Sequence, residues 1–185
     1  MAVLVEGISV IVRRDAIEAK YRGGWKAFTA YVPNSTLCID EELARVGFMV
    51  PSDVEAFVKH LESGGLRFLD AGTSVDLAIA DQQRGLTMEC NWLEFGHLGF
   101  GASGKVAACW FFEGLRIAAG MHLRGQSMNL GTPAGWEFEG SLSHKFGFIP
   151  TGKENERLTF IRNEDGVDVF LDANTGKEVF VGRTI

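Results

Sequence analysis

The stretch from Arg45 to Glu94 constrains this chain more than any other part of it, because it sets a strand, a helix and further strands in a fixed order. Val46, Phe48 and Val50 alternate ahead of Pro51. Val54, Phe57, Val58 and Leu61 then fall at i, i+3, i+4 and i+7, which predicts one apolar helix stripe packed on a sheet. Ser52 and Glu55 have the spacing of a capping box, and Gly64-Gly65 supplies the stop. Lys59, His60 and Glu62 form the charged side, so His60 reads as a solvated surface residue. Val75, Leu77 and Ile79 alternate next, followed beyond a turn at Gln82 to Gly85 by Met88, Cys90 and Trp92. On that last strand Thr87, Glu89 and Asn91 are expected on the opposite, polar face.

The opening of the chain repeats this plan loosely. Val5 to Val12 reads as a strand, Asp15 to Tyr21 as a short helix, and Trp25 to Val32 and Thr36 to Ile39 as strands. Two βαβββ-like units would then occupy residues 1–95. The glycine-rich run 96–104 reads as a connector or lid, and residues 105–185 as a β-rich second half packed on the first. Within it, Val106 to Phe112 is apolar on both faces, as a central strand covered on both sides would be. Leu115 to Leu123 is mostly apolar and includes His122. Trp136 and Phe138 alternate with Glu137 and Glu139, the pattern of a half-exposed strand. Leu158 to Arg162, Val167 to Leu171 and Glu178 to Val181, joined by Asp/Asn/Gly turns, predict a closing three-stranded meander. The fold class expected is α+β: a mixed, mainly antiparallel sheet with a packed helix, then a β-meander.

Composition narrows the function classes. The chain has 185 residues, 46% of them hydrophobic, enough for a proper core. A formal charge of −6 and the lack of any long basic run argue against nucleic acid as a partner. No apolar run reaches the roughly 18 residues of a membrane span. MAVLVEGIS lacks the basic start of a secretory signal, so a cytoplasmic location is expected. Cys38, Cys90 and Cys109 are three, far apart and without a CxxC pair, and read as reduced thiols.

Linear catalytic motifs are absent or incomplete. Gly99 to Gly104 spells GxGxxG, yet no acidic residue falls about 20 positions on and no kinase motif follows. His60, His97, His122 and His144 form no HExxH pair, and no GxSxG surrounds a serine. Glu137 and Glu139 read as solvated neighbours. Asp165, Asp168 and Asp172 do not keep calcium-loop spacing.

RVGFMVPSDVEAF resembles the start of the second module in the glyoxalase and vicinal-oxygen-chelate superfamily, which is built from paired βαβββ units. ADQQRGLTMECNW is similar to that family's D-x-x-G turn with a metal-binding glutamate four residues after the glycine. Gly85 and Glu89 keep that spacing, while Asp81 and Gly85 stand one residue further apart than usual. Where the family places its metal histidines, this chain has Gly7 and Arg45. The resemblance therefore implies a cupped sheet with no metal and no cofactor, pointing to binding more than catalysis.

The expected function is an intracellular binding protein for a small, partly apolar molecule. Trp92, Phe95, Trp110 and Phe112 are the candidate walls, and Arg45, Glu89 and Asn91 the candidate polar contacts. A metal-dependent enzyme of the glyoxalase or dioxygenase type is the first alternative, and a protein interaction or inhibitor module with an acidic surface the second. Association into homo-oligomers is open.

Overall fold

The computed structural model describes residues 1–101, 104–112, 129–144, 147–150, 158–164, 167–173 and 176–182. The fold is α+β, with mostly antiparallel sheets. At its centre β2 (Ile8–Arg13) lies between β4 (Leu43–Phe48) and β7 (Leu77–Asp81), antiparallel to both. Strand β3 (Cys38–Ile39) flanks β4, and β8 (Gly85–Leu86) flanks β7. The chain passes from β4 through α3 (Pro51–Ser63) to β7, leaving β2 between them. This is a split βαβ arrangement.

Period-2 alternation gives that sheet two buried faces. Val10, Val12, Val46 and Leu77 meet the helices α1 (Arg14–Lys20), α2 (Gly24–Tyr31) and α3. Ile11, Leu43, Ala78 and Ala80 meet a second sheet. In that sheet β10 (Gly104–Phe111) lies between β1 (Ala2–Val5) and β9 (Leu93–Phe100), and β11 (Leu130–Gly131) runs parallel beside β1. Helices, sheet and sheet form three layers. Strand β10 is buried from Val106 to Trp110, in keeping with a central strand covered on both faces.

Strands β1 and β2 belong to different sheets because the expected single strand breaks at Gly7. Its φ is +60°, and a Cβ there would lie 2.5 Å from the carbonyl oxygen of Phe48, so glycine alone fits the step. The first half is therefore shared between two sheets rather than divided into two successive βαβββ units.

Helix α3 carries the predicted stripe: Val54, Phe57, Val58 and Leu61 are buried. Its N-cap lies two residues earlier than the capping-box spacing predicts. Val50 is the N-cap and Pro51 opens the helix, where its missing N–H costs nothing, and no side chain caps the end.

The segment expected as a strand over Trp25 to Val32 is helix α2. Trp25 and Phe28, at i and i+3, stack with centroids 5.6 Å apart, and Phe28 is 1% exposed, so tertiary burial decided between two plausible periods. Residues 96–100 and 104, expected in a connector, lie in strands. Gly96 and Gly99 lie in β9, which pairs with β10 from Leu93–Phe111 to Phe100–Gly104 as a hairpin arm. A Cβ on Gly96 would come 2.7 Å from the Trp110 ring, so the glycine gives that indole its bed. Met88, Cys90 and Trp92 do not form a strand of their own; the chain bends there before β9.

The short ribbon β5 (Leu69–Asp70) and β6 (Thr73–Ser74) links α3 to β7. The C-terminal meander forms as expected. Strands β13 (Leu158–Glu164), β14 (Val167–Asp172) and β15 (Lys177–Gly182) pair in sequence, with β12 (Gly147–Pro150) parallel to β15. His122 and the Leu115 to Leu123 run lie outside the described residues, as do Asp165 and the tips of both meander turns. No helix among the described residues is long and apolar enough to cross a membrane.

Candidate functional site

The richest convergence of polar and aromatic groups forms around the β1–β2 turn, where Glu6 stands beside the glycine step. Its backbone oxygen accepts a 2.8 Å hydrogen bond from the guanidinium of Arg45. Arg45 also donates from Nε to Ser9 Oγ at 2.8 Å and toward the Thr36 carbonyl at 3.3 Å. It is 2% exposed and, among the described residues, holds no carboxylate within ion-pair distance. Burial pulls its pKa below the ordinary arginine value, with Cys38 and the field of Glu6 opposing. Arg45 thus ties β4, β2 and the β1–β2 turn together from within the layers.

The Glu6 carboxylate faces the other way and holds residues 136–143. It accepts from Trp136 Nε1 at 3.1 Å, from the Ser143 amide at 2.9 Å and from Ser143 Oγ at 2.7 Å. Trp136, Phe138 and Phe100 are half-buried and in mutual contact. Phe100 stacks on Phe138 at 5.0 Å and meets Trp136 edge-on at 5.5 Å. His144 tilts against Phe138 at 4.8 Å and lies 3.3 Å from the Glu139 carbonyl, which can only accept, so Nδ1 is the donor. A Cβ on Gly104 would lie 2.5 Å from Phe138, which is how that ring reaches the end of the β9–β10 hairpin.

Glu137 and Glu139 point outward beside these rings and are exposed. The backbone is not the strand that the alternation suggested; it turns into a 3-10 segment at Phe138–Gly140. Aromatic-in and acid-out nevertheless holds, because the rings bury on Phe100 whatever the backbone does.

A second cluster lies where the two sheets meet at the start of α1. The Arg13 guanidinium sits 5.8 Å from the Trp92 ring centroid and 5.7 Å from that of Phe111, and pairs with Asp15. The hydrogen bond from Arg13 holds the Asp15 carboxyl below its usual range.

The seven residues expected to bind ligand divide among these surroundings, with Phe95 packed against the core between the sheets. Arg45 is buried between the layers. Glu89 and Asn91 are exposed in the bend before β9, where the Glu89 carbonyl accepts from Ser74 N at 2.8 Å. Trp92 lies between the sheets and donates to the Ser74 carbonyl at 3.0 Å. Trp110 packs on the opposite face of its sheet and donates to Glu94 at 2.7 Å. Phe112 is half-buried, and its amide donates to the Trp92 carbonyl at 2.8 Å. Trp92 and Phe112 therefore come together; Trp92 and Trp110 do not form one wall, and Arg13 rather than Arg45 faces the Trp92 ring. Strand parity, which depends on the bend at 87–92, decided this.

Among the described residues, no three or more His, Cys, Asp or Glu side chains gather so as to hold a metal ion. With Glu89 exposed and Arg45 committed to the interlayer, these residues do not fit a metal centre of the glyoxalase kind. Glu6 carried one faint signal in the sequence, a lone acid inside an otherwise apolar opening. Its partners, more than a hundred positions away, carried none. No protein-family model, curated protein or solved structure matches this chain.

Proposed function

We propose that this protein acts by binding a small, partly apolar molecule, and that the ligand carries a positive charge. The observation that carries this reading is the half-buried set of Phe100, Trp136 and Phe138, fixed by Glu6 and rimmed by Glu137 and Glu139. Aromatic faces attract cations through their quadrupoles, and nearby carboxylates strengthen that preference. Pre-ordering also lowers the side-chain entropy that the site must forfeit on binding. The acids supply selectivity against anions; the rings supply contact area.

Benzyltrimethylammonium is a suitable probe, because it combines an apolar ring with a permanent cation. Saturable quenching of tryptophan fluorescence is expected in wild type, lost in Trp136→Phe and weakened in Glu137→Gln/Glu139→Gln. Absence of saturable quenching up to millimolar probe would dismiss this reading.

A protein interaction module is the second reading, favoured by the exposure of Phe160 (55%) and Leu171 (39%), which the β13–β14 register sets on opposite faces of the C-terminal sheet. A partner captured by wild type and released by Phe160→Ser/Leu171→Ser would support it. Capture lost instead on reversing Glu137 and Glu139 would shift the contact to the acidic rim.

A further inference from the structure

Strand β9 is the outermost member of its sheet. It pairs with β10 along its full eight residues, and among the described residues no strand lies on its other side. In an antiparallel ladder alternate residues direct their N–H and C=O groups away from the partner, so about half of β9 presents these groups to the free edge. No other backbone hydrogen bond among the described residues engages them. Such an edge is usually blunted by lysine, proline, a bulge or an inward charge. LEFGHLGF has no lysine or proline, and its ladder with β10 runs without a register shift. Its one acid, Glu94, is occupied by the Trp110 indole.

We propose that β9 pairs antiparallel with β9 of a second copy of this chain about a two-fold axis, joining the two sheets into one. Such an axis sets residues of the same face opposite each other, so it must pass through a residue rather than between two. Centred on His97, the register brings Phe95 opposite Gly99 of the other copy and Leu98 opposite Gly96. Each glycine then gains an apolar cross-strand neighbour, the arrangement that compensates glycine in strands. The two Glu94 carboxylates lie at opposite ends, each across from a Phe100. Centred on Gly96, glycine would face glycine and Glu94 would face Leu98. The His97 register is the self-complementary one, and it is independent of the ligand reading above.

Sedimentation velocity on the purified full chain at tens of micromolar tests this. Wild type is expected to sediment at twice 20.2 kDa. His97→Lys sets two ammonium groups face to face on the axis. Gly99→Lys fills the space meant for Phe95 of the other copy, yet fits the free subunit, since a Cβ there meets no atom within 4 Å. Both variants should keep the wild-type circular dichroism and a cooperative melt, and both should dimerise at least about tenfold more weakly, the effect of an energy near 1.4 kcal/mol. A monomeric wild type would overturn the proposal. So would a folded His97→Lys or Gly99→Lys that dimerises with wild-type affinity, because association would then use another surface.

Discussion

The indole N–H of Trp136 donates to the carboxylate of Glu6 at 3.1 Å, joining positions 130 residues apart. Ser143 adds two hydrogen bonds to the same carboxylate. Hydrogen bonds to a charged acceptor contribute about 1.5–3 kcal/mol each when their geometry is sound, less where water competes. Glu6→Ala should therefore destabilise the fold by roughly 2–3 kcal/mol in urea unfolding. Hydrogen exchange should show the loss first at the Ser143 amide, with the β2–β4–β7 amides unaffected in rank. Glu6→Gln should recover about half, because its amide oxygen still accepts. Equal loss of protection across the whole chain would show that Glu6 is not a local clamp.

Arg45 and Gly47 make a second linked pair. A Cβ built on Gly47 would lie 2.5 Å from one guanidinium nitrogen of Arg45 and 2.8 Å from its central carbon. Alanine ordinarily improves on glycine inside a strand. Here Gly47→Ala should instead cost about 1–3 kcal/mol, the range of overpacking in a filled interior. The cost should shrink when Arg45 is shortened to Met, with a coupling of at least about 1 kcal/mol in the double-mutant cycle. Additive effects would mean that the guanidinium shifts aside freely.

How much of this arrangement was legible in the sequence depends on the range of the interactions concerned. The α3 stripe, the apolar β10 run and the C-terminal meander rest on local periodicity, and they stand where that periodicity put them. Helix α2 differs from the expected strand because WKAFTAYV supports period 2 and period 3.6 alike, and only the burial of Phe28 selects between them. Gly96 and Gly99 suggested flexibility, whereas Gly96 accommodates Trp110. The candidate site escaped because Glu6, Phe100 and Trp136 meet only after the two sheets have formed. Spacing along a chain cannot encode that.

His60 shows how the same long-range packing changes chemistry. Expected on a solvated face, it is half-buried, stacked on Tyr31, with Nε2 2.9 Å from the Tyr21 hydroxyl. Burial lowers its pKa from 6.5. A group whose folded pKa is depressed contributes stability that is fully present above its unfolded pKa and is lost as pH falls through the folded value. Thermal melts should thus lose stability on acidification below about pH 6.5. His60→Asn should flatten that part of the profile without removing the carboxylate contribution at lower pH. A histidine variant with an unchanged profile would rule out His60 as its source.

The three thiols offer a test of burial that needs no mutation. Desolvation raises the pKa of all three, most strongly for Cys109, which is 0% exposed in the core between the sheets. Cys38 is 2% exposed and adjoins Arg45, whose charge opposes the rise without cancelling it. Cys90 is half-buried and has Arg13 nearby, which also favours its thiolate. Since the thiolate is the reactive form, alkylation depends on access as well as ionisation, and access ranks Cys90 first. In the native protein at neutral pH, iodoacetamide followed by peptide mass mapping should modify Cys90 slowly and leave Cys38 and Cys109 protected until denaturant is added. Prompt labelling of Cys109 would mean that the two sheets separate in solution, which the packing of Val3, Ile11, Ala78 and Ala107 around it argues against.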